Sequence, residues 1–288
     1  MKHFTDADVD RVLAGAPIED SLRRAFVALA EGRAAQQPRL RTDAGGVKLS
    51  TLGGVIPELG VAGAKVYTTL AGRFSFLIAL FSTQTGEPLA TFEANAITKW
   101  RTAAVSRLAA SVAARPEPRA IAVFGTGVQG RSHAEAFSRA YPRAELRIVE
   151  RRQSGGDIAR ALQGADIIVT ATRSATPLFD GNLVERAAFV AAVGSSRPDT
   201  RELDDTLLSR AARVIVEWRE QTLQEAGDLL LAPAELRSRL RIVDLGDVLA
   251  GKAPARESGD DIVIFKSVGV GIEDVAVAGL AYGLLKGH

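Results

Sequence analysis

Cysteine is absent from the 288 residues, so neither a disulfide framework nor thiolate chemistry is open to this chain. Histidine is scarce: His3, His133 and His288 are too scattered to share a ligand motif, and no metal is expected. No apolar run approaches the roughly 18–20 residues of a membrane span. The opening Met1-Lys2-His3-Phe4-Thr5-Asp6 leads into an acidic segment rather than an apolar one, so no secretory signal is expected. The expected location is the cytoplasm, with no membrane partner. Blocks of one charge are missing too. The 36 basic and 34 acidic residues are interspersed, with no run of five Lys or Arg, which argues against a nucleic-acid partner. Lys supplies only seven of those cations and Arg the rest, an excess that, beside the abundant Ala, reads as compositional bias. What is present is ordinary globular usage, 47% apolar and 24% charged, which excludes a disordered chain. The length favours two domains or one large α/β unit.

Thr5 can cap a helix over 5–16, with Asp8 at the capping-box position, and a second helix follows Pro17 and stops at Gly32. From about Pro38 to Phe92 the pattern is one of short strands, among them Lys65–Leu70, Phe74–Phe81 and Leu89–Glu93. Ala96–Ala114 is a long Ala-rich helix, and the Pro-bracketed stretch 115–118 after it reads as a domain boundary. Beyond it, apolar runs (Ala120–Phe124, Leu146–Val149, Asp166–Thr170, Phe189–Val193, Val214–Val216, Ile262–Phe265) alternate with helical segments, the pattern of a parallel sheet covered on both faces. A last helix covers Glu273–Leu285.

Gly125-Thr126-Gly127-Val128-Gln129-Gly130 is a G-x-G-x-x-G between a five-residue apolar strand and a helix, the setting in which glycines let a pyrophosphate approach a helix N-terminus. Twenty residues on, Glu150 stands where a carboxylate would accept from a ribose hydroxyl. The alternative is a plain βα turn; strand, helix and acid in register favour the dinucleotide. Glu150 argues for NAD, whereas Arg151 and Arg152 suit a 2′-phosphate, so both NAD and NADP are expected to serve, with NADPH slightly favoured.

Ile97-Thr98-Lys99-Trp100-Arg101-Thr102-Ala103-Ala104, followed by Phe124-Gly125-Thr126-Gly127-Val128-Gln129, resembles the ornithine cyclodeaminase/mu-crystallin family. Further segments fit in the same order: Pro38-Arg39-Leu40, Gly63-Ala64-Lys65-Val66, Val193 through Asp199, and Phe265-Lys266-Ser267-Val268-Gly269 with Glu273-Asp274. The resemblance implies a Rossmann-type, doubly wound parallel-sheet domain (117–269) that binds NAD(P). A discontinuous α+β domain (1–116 and 270–288) would bind substrate and form a homodimer. It implies Arg39, Lys65 and Arg101 around a substrate carboxylate, with Val268 near substrate and nicotinamide. The cofactor would meet Thr102, Gly125, Thr126, Gly127, Val128, Gln129, Ala171, Thr172, Val193, Gly194 and Ser267. On residue type alone Arg39 and Arg101 also read as surface charges, but Lys65, bracketed by Ala64 and Val66 on an apparent strand, is out of place in a core unless it faces a site.

Two departures sharpen the expectation. Cyclodeaminases and alanine dehydrogenases of this family carry an acidic acid/base soon after the Gly of the Val193-Gly194 segment. Here Ser196 aligns with it, and Ser is a poor base without a partner. Asp199 lies three residues further on and reads as structural. The Ser-Arg-Pro-Asp run resembles the mu-crystallin branch, whose members reduce ketimines. The second departure is that only Arg151–Gln163 separates the second Rossmann strand from the next, which leaves the sheet a strand short and its adenosine edge open. The expected activity is NAD(P)H-dependent reduction of a small cyclic imino acid, with Lys65, Arg101 and Ser196 as the catalytic candidates. The alternatives are ornithine cyclodeaminase or alanine dehydrogenase activity, or a crystallin-like nucleotide binder without turnover.

Overall fold

The computed structural model describes residues 1–150 and 154–286. The chain divides into two compact units, Met1–Ala104 with the segment from Gly269 onward, and Val105–Val268. The first contains β1 (Lys2–Phe4), α1 (Asp6–Leu13), α2 (Ile18–Ala30), β2 (Ala35–Gln36), β3 (Leu40–Ala44), β4 (Val47–Ile56), β5 (Val61–Leu70), β6 (Arg73–Ser82), β7 (Pro88–Glu93) and the start of α3 (Asn95–Ala113). Thr5 and Asp8 close the expected capping box on α1. The second unit contains β8 (Ala120–Phe124), α4 (Val128–Ala140), β9 (Glu145–Val149), α5 (Gly155–Leu162), β10 (Ile167–Thr170), β11 (Phe189–Ala192), α6 (Asp205–Arg210), β12 (Ala211–Val216), α7 (Arg219–Glu225), α8 (Gly227–Leu230), α9 (Ala234–Arg237), β13 (Ile242–Asp244), α10 (Leu245–Leu249) and β14 (Ile262–Lys266). The chain then returns to the first unit through α11 (Gly271–Leu285).

The boundary falls inside α3 rather than in the Pro-bracketed stretch. The later turns of this helix are tied to the second unit: Ser106 Oγ and His133 Nε2 are 2.9 Å apart, and Arg256 Nε donates to the Ala113 carbonyl at 2.5 Å. The proline signal marks where the helix stops, which is a different place from where its partners change.

In the first unit the strand order is β1-β7-β6-β5-β4-β2, with β3 on β4; only the β1–β7 pair is parallel. Period-two alternation gives this sheet two unlike faces. One is buried by α11 and carries Leu52, Ile78 and Leu80. The other presents Leu49, Val55, Leu77 and Phe81, each between 39% and 46% exposed.

In the second unit all seven strands are parallel, in the order β13-β12-β14-β11-β10-β8-β9. From β8 the chain goes first to β9 on one side and then to β10 on the other, so β8 is the switch point where doubly wound sheets bind ligands at their strand ends. β9 is the edge strand, and among the described residues only α5 lies between it and β10, in keeping with the short connection read from sequence.

A buried polar network holds the carboxyl ends of these strands together. Lys266, at the end of β14, donates to the carbonyls of Ala192 (3.2 Å) and Ser195 (2.6 Å) and pairs with Asp228 at 2.8 Å, both side chains being fully buried. Asp228 accepts from the Glu202 and Leu203 amides. Glu202 accepts from Thr170 Oγ1, from the amide and hydroxyl of Thr172, and from the Gly194 amide, at 2.6–2.9 Å. Burial pushes the Glu202 carboxyl up, while Lys266 and these donors pull the other way. Removing one partner of a buried pair leaves a stranded charge. Lys266→Met should therefore cost about 3–5 kcal/mol of stability, measured as a lowered urea midpoint. Adding Asp228→Asn keeps an acceptor for both amides without the charge, and most of the loss should return; a double variant no more stable than Lys266→Met would refute the pair's role.

Candidate active site

Lys65 sits mid-strand on β5, in register with Leu52 of β4 and Ile78 of β6, on the face that α11 covers. It is only 3% exposed. A lysine there needs a counter-charge, and α11 supplies one: Nζ donates to Asp274 Oδ1 at 2.9 Å and to Thr98 Oγ1 at 3.1 Å. Burial, with Arg101 and Arg39 nearby, lowers the ammonium pKa to about 8 against the pull of Asp274. Among the described residues two of its three N–H donors meet oxygen acceptors, and the ammonium also lies 4.9 Å from the centre of the Phe76 ring.

Arg101 follows Thr98 by three residues on α3, which puts both on one helix face. Its guanidinium donates to Glu273 Oε2 at 2.6 Å, and Nε lies 3.4 Å from Asp274 Oδ1. Glu273 and Asp274 are fully buried in the first turn of α11, where the helix N-terminus favours negative charge. Asp274 Oδ2 is buried without a hydrogen-bond partner among the described residues, an acceptor available to a ligand. Half-buried Arg39 donates to the Gly269 carbonyl at 2.5 Å. Gly269 has φ +75°, and a Cβ there would lie 2.7 Å from an Arg101 nitrogen, so only glycine lets this backbone pass the guanidinium. The first unit thus gathers all three expected cations, Arg39, Lys65 and Arg101, with two carboxylates for which the sequence reading had no role. The available signal was an otherwise apolar helix opening on two adjacent acids. Thr102 is also buried here, but its hydroxyl donates to the Thr98 carbonyl.

In the second unit the glycine loop has the shape its spacing suggests. Gly125 has φ +116°, and a Cβ on Gly130 would stand 1.9 Å from the Gly125 carbonyl, so the turn closes only without side chains. At Gly127, the N-cap of α4, a Cβ would meet nothing within 4 Å and no side chain caps the helix. Thr126, Gly127 and Val128 are exposed. An open, uncapped helix N-terminus at a sheet's switch point fits a pyrophosphate. Gln129 is half-buried on the first turn, and Glu150 is exposed just after β9. Arg151 and Arg152 lie outside the described residues.

The other expected cofactor positions follow neighbouring strand ends. Ala171 extends the β10–β8 ladder, its amide donating to Phe124 at 2.9 Å, and Thr172 is held by Glu202. Val193 and Gly194 follow β11 and donate to the Thr170 carbonyl. Ser267 is buried and donates to Glu217 at 2.5 Å, leaving its oxygen to act only as an acceptor, while the buried Val268 donates its amide to the same carboxylate. Ser196 is half-buried beside Ser195, whose hydroxyl is spent on the Thr200 carbonyl. Asp199 is exposed and paired with Arg197 through two bonds of 2.9 and 2.5 Å. Glu202, Glu217, Asp228 and Lys266, which fix these segments, were not legible as a group: each is one polar residue beside an apolar run, and their meeting depends on sheet order.

Residues 5–159 and 153–287 match the model of the ornithine cyclodeaminase/mu-crystallin family. The chain is 36% identical over 220 residues to ketimine reductase mu-crystallin of Mus musculus, covering 71% of this chain and 68% of that protein. The solved structure of a probable ornithine cyclodeaminase from Bordetella pertussis Tohama I matches with a TM-score of 0.92 at 48% identity, covering 100% of this chain and 97% of that one. The Thermococcus litoralis Delta(1)-pyrroline-2-carboxylate reductase, solved with NADH and L-proline, matches with a TM-score of 0.89 at 25% identity, covering 100% and 98%. The chain belongs to the ornithine cyclodeaminase/mu-crystallin family.

Proposed function

We propose that this protein is an NAD(P)H-dependent reductase of small cyclic imino acids, Δ1-pyrroline-2-carboxylate and Δ1-piperideine-2-carboxylate being the model substrates. The carrying observation is the buried cluster of Lys65 and Arg101 with Glu273 and Asp274, beside which half-buried Arg39 stands. Arg101 and Arg39 hold the substrate carboxylate, a planar fork suiting two oxygens. A reduced nicotinamide, when bound, supplies a hydride to the imine carbon. Lys65 uses its remaining N–H to give the imine nitrogen a proton, and Asp274 accepts from the resulting N–H. The loop 125–130, with Glu150, Ala171, Thr172, Val193, Gly194 and Ser267, holds the cofactor; Arg151 and Arg152 tilt the choice towards NADPH.

The second reading is ornithine cyclodeaminase, the activity suggested for the Bordetella relative. It needs a base to take a proton from a substrate ammonium. Ser196 stands at that position, and Asp199, the acid nearest to it along the chain, is engaged by Arg197 at the surface. The purified protein should oxidise NADH or NADPH with either cyclic imino acid, followed at 340 nm, and should not release ammonia from ornithine. Ammonia release at a matching rate would reverse the two readings.

If Lys65 is the proton donor, kcat/KM must fall once its ammonium is lost. With Asp274, Arg101, Arg39 and Thr98 around it, that loss is centred near pH 8 rather than at 10.5, the value of an ordinary lysine. The expected profile falls tenfold per pH unit above about pH 8, and Lys65→Arg abolishes that limb along with most of the rate. A wild-type profile flat to pH 10 would remove Lys65 from the role.

The open face of the first unit's sheet fits a second copy of the chain. Leu49 on β4, Val55 on β4, and Leu77 and Phe81 on β6 form an apolar patch that two identical surfaces can bury about a two-fold axis. Light scattering at micromolar concentration should give a dimer mass, and Leu77→Asp with Phe81→Asp should give a monomer that retains its fold. A wild-type monomer would overturn the assignment.

A further inference from the structure

We propose that Ser50 determines specificity by meeting a hydroxyl on the substrate ring. The enzyme then prefers cyclic imino acids hydroxylated at a ring carbon bonded neither to the nitrogen nor to the carboxylate-bearing carbon. The inference rests on the imino-acid reading above and narrows its substrate class.

The first observation is an unmet hydroxyl. Ser50 lies on β4 and is 1% exposed, and its Oγ is buried without a hydrogen-bond partner among the described residues. A buried hydroxyl left unbonded is a net cost to the fold, one that alanine at the same place would not incur. A ligand that enters with a polar group removes that cost, and a hydroxyl can either give or accept the bond.

The second observation is where this hydroxyl stands. Across β4 and β5, Leu52 is opposite Lys65 and Ser50 is opposite Tyr67; across β5 and β6, Tyr67 is opposite Phe76. Paired residues share a face, as do residues two apart on one strand, so Ser50, Tyr67 and Phe76 form a row on the Lys65 face. Ser50 and Lys65 are diagonal neighbours, about 7 Å apart. The ammonium borders the row, with Asp274 Oδ1 at 2.9 Å and the centre of the Phe76 ring at 4.9 Å. Arg101 is held against the first turn of α11 by Glu273 and Asp274. A substrate with its carboxylate at Arg101 and its nitrogen at Lys65 therefore turns its far ring carbons away from that helix, towards Ser50. Tyr67 and Phe76, with ring centres 5.1 Å apart, take the apolar carbons of the ring.

Cations stand on the same face further out. Arg41 is opposite Ser50 on β3, and Lys48 is opposite Thr69 on β5. Arg41 is exposed, and Lys48, its side chain 44% exposed, pairs with Asp43 at 3.6 Å. Neither bonds the Ser50 hydroxyl. A neutral group that forms a hydrogen bond at the depth of Ser50 satisfies it without drawing a charge away from solvent.

The test compares Δ1-pyrroline-2-carboxylate with its 4-hydroxy derivative, made by oxidising D-proline and the two epimers of 4-hydroxy-D-proline with a D-amino-acid oxidase that is then removed. For one hydroxylated epimer we expect kcat/KM at least about tenfold above that of the unsubstituted imine, the scale of one bond to an otherwise unmet buried group. Ser50→Ala should bring that ratio to about one. Its urea midpoint should be unchanged or higher, because the hydroxyl has no bond in the free protein to lose. Equal rates for the substituted and unsubstituted imines, a ratio unaltered in Ser50→Ala, or a lowered midpoint would each overturn the inference while leaving imine reduction intact. Reduction of neither imine would instead overturn the functional reading. Calorimetric titration then decides the role of Ser50: one epimer of 4-hydroxy-L-proline should bind the wild type at least about tenfold more tightly than L-proline does, and Ser50→Ala no more tightly. Equal affinities would overturn it.

Discussion

The Asp274 carboxylate, between the Lys65 ammonium and the Arg101 guanidinium, is the contact on which the first unit's site depends. Putting a lysine in the middle of a covered strand is tolerable only if an anion is brought to it, and the anion comes from a helix far along the chain. This is why the last helix must return to the first unit after the second is complete. Its opening turn carries both acids, its N-terminal dipole favours them there, and the rest of it is apolar enough to cover the sheet. A buried ion pair of this kind adds little net stability against an apolar alternative. Its retention is intelligible if the cations are wanted for something else, namely a ligand's carboxylate.

The second unit solves a different problem with backbone. Seven parallel strands end at one side of the sheet, and the segments leaving them cannot pair with one another as strands do. Glu202, Glu217, Asp228 and Lys266 take up those amides and carbonyls. The glycine loop, by contrast, has a glycine at its helix N-cap and so gives that helix no side-chain cap. The contrast is informative: polar groups are satisfied internally wherever the strand ends must be rigid, and left open where an anion fits.

Much of this was legible in the sequence because it is local. Ala120–Phe124 and Val128–Ala140 coincide with the strand and helix expected of them, since five apolar residues, a glycine turn and a helical period occur without interruption. The short helices α6 to α10 and strand β13 were not found, because segments of three to seven residues contain too little of either period to register. The site divides the same way. Lys65 and Arg101 drew attention through residue type and resemblance, but the acids opposite them are more than 170 residues away, and nothing in the spacing joins the two. The displaced boundary in α3 has a similar origin: proline reports where a helix ends, whereas the division of the units depends on Ser106 meeting His133 and Arg256 meeting Ala113.

The protonation of the cluster also bears on which chemistry of the family this chain performs. Deamination needs a group that is unprotonated at working pH and free to accept; reduction of an imine needs a group that is protonated and free to give. Lys65, held near 8 by burial and by the neighbouring arginines, is mostly protonated at neutral pH yet gives up its proton far more readily than an exposed lysine would. Where the family's base would stand, Ser196 offers a hydroxyl, and Asp199 is tied to Arg197 at the surface. A donor poised just above neutrality suits the addition of a hydride and a proton across a C=N bond better than the removal of a proton from an ammonium.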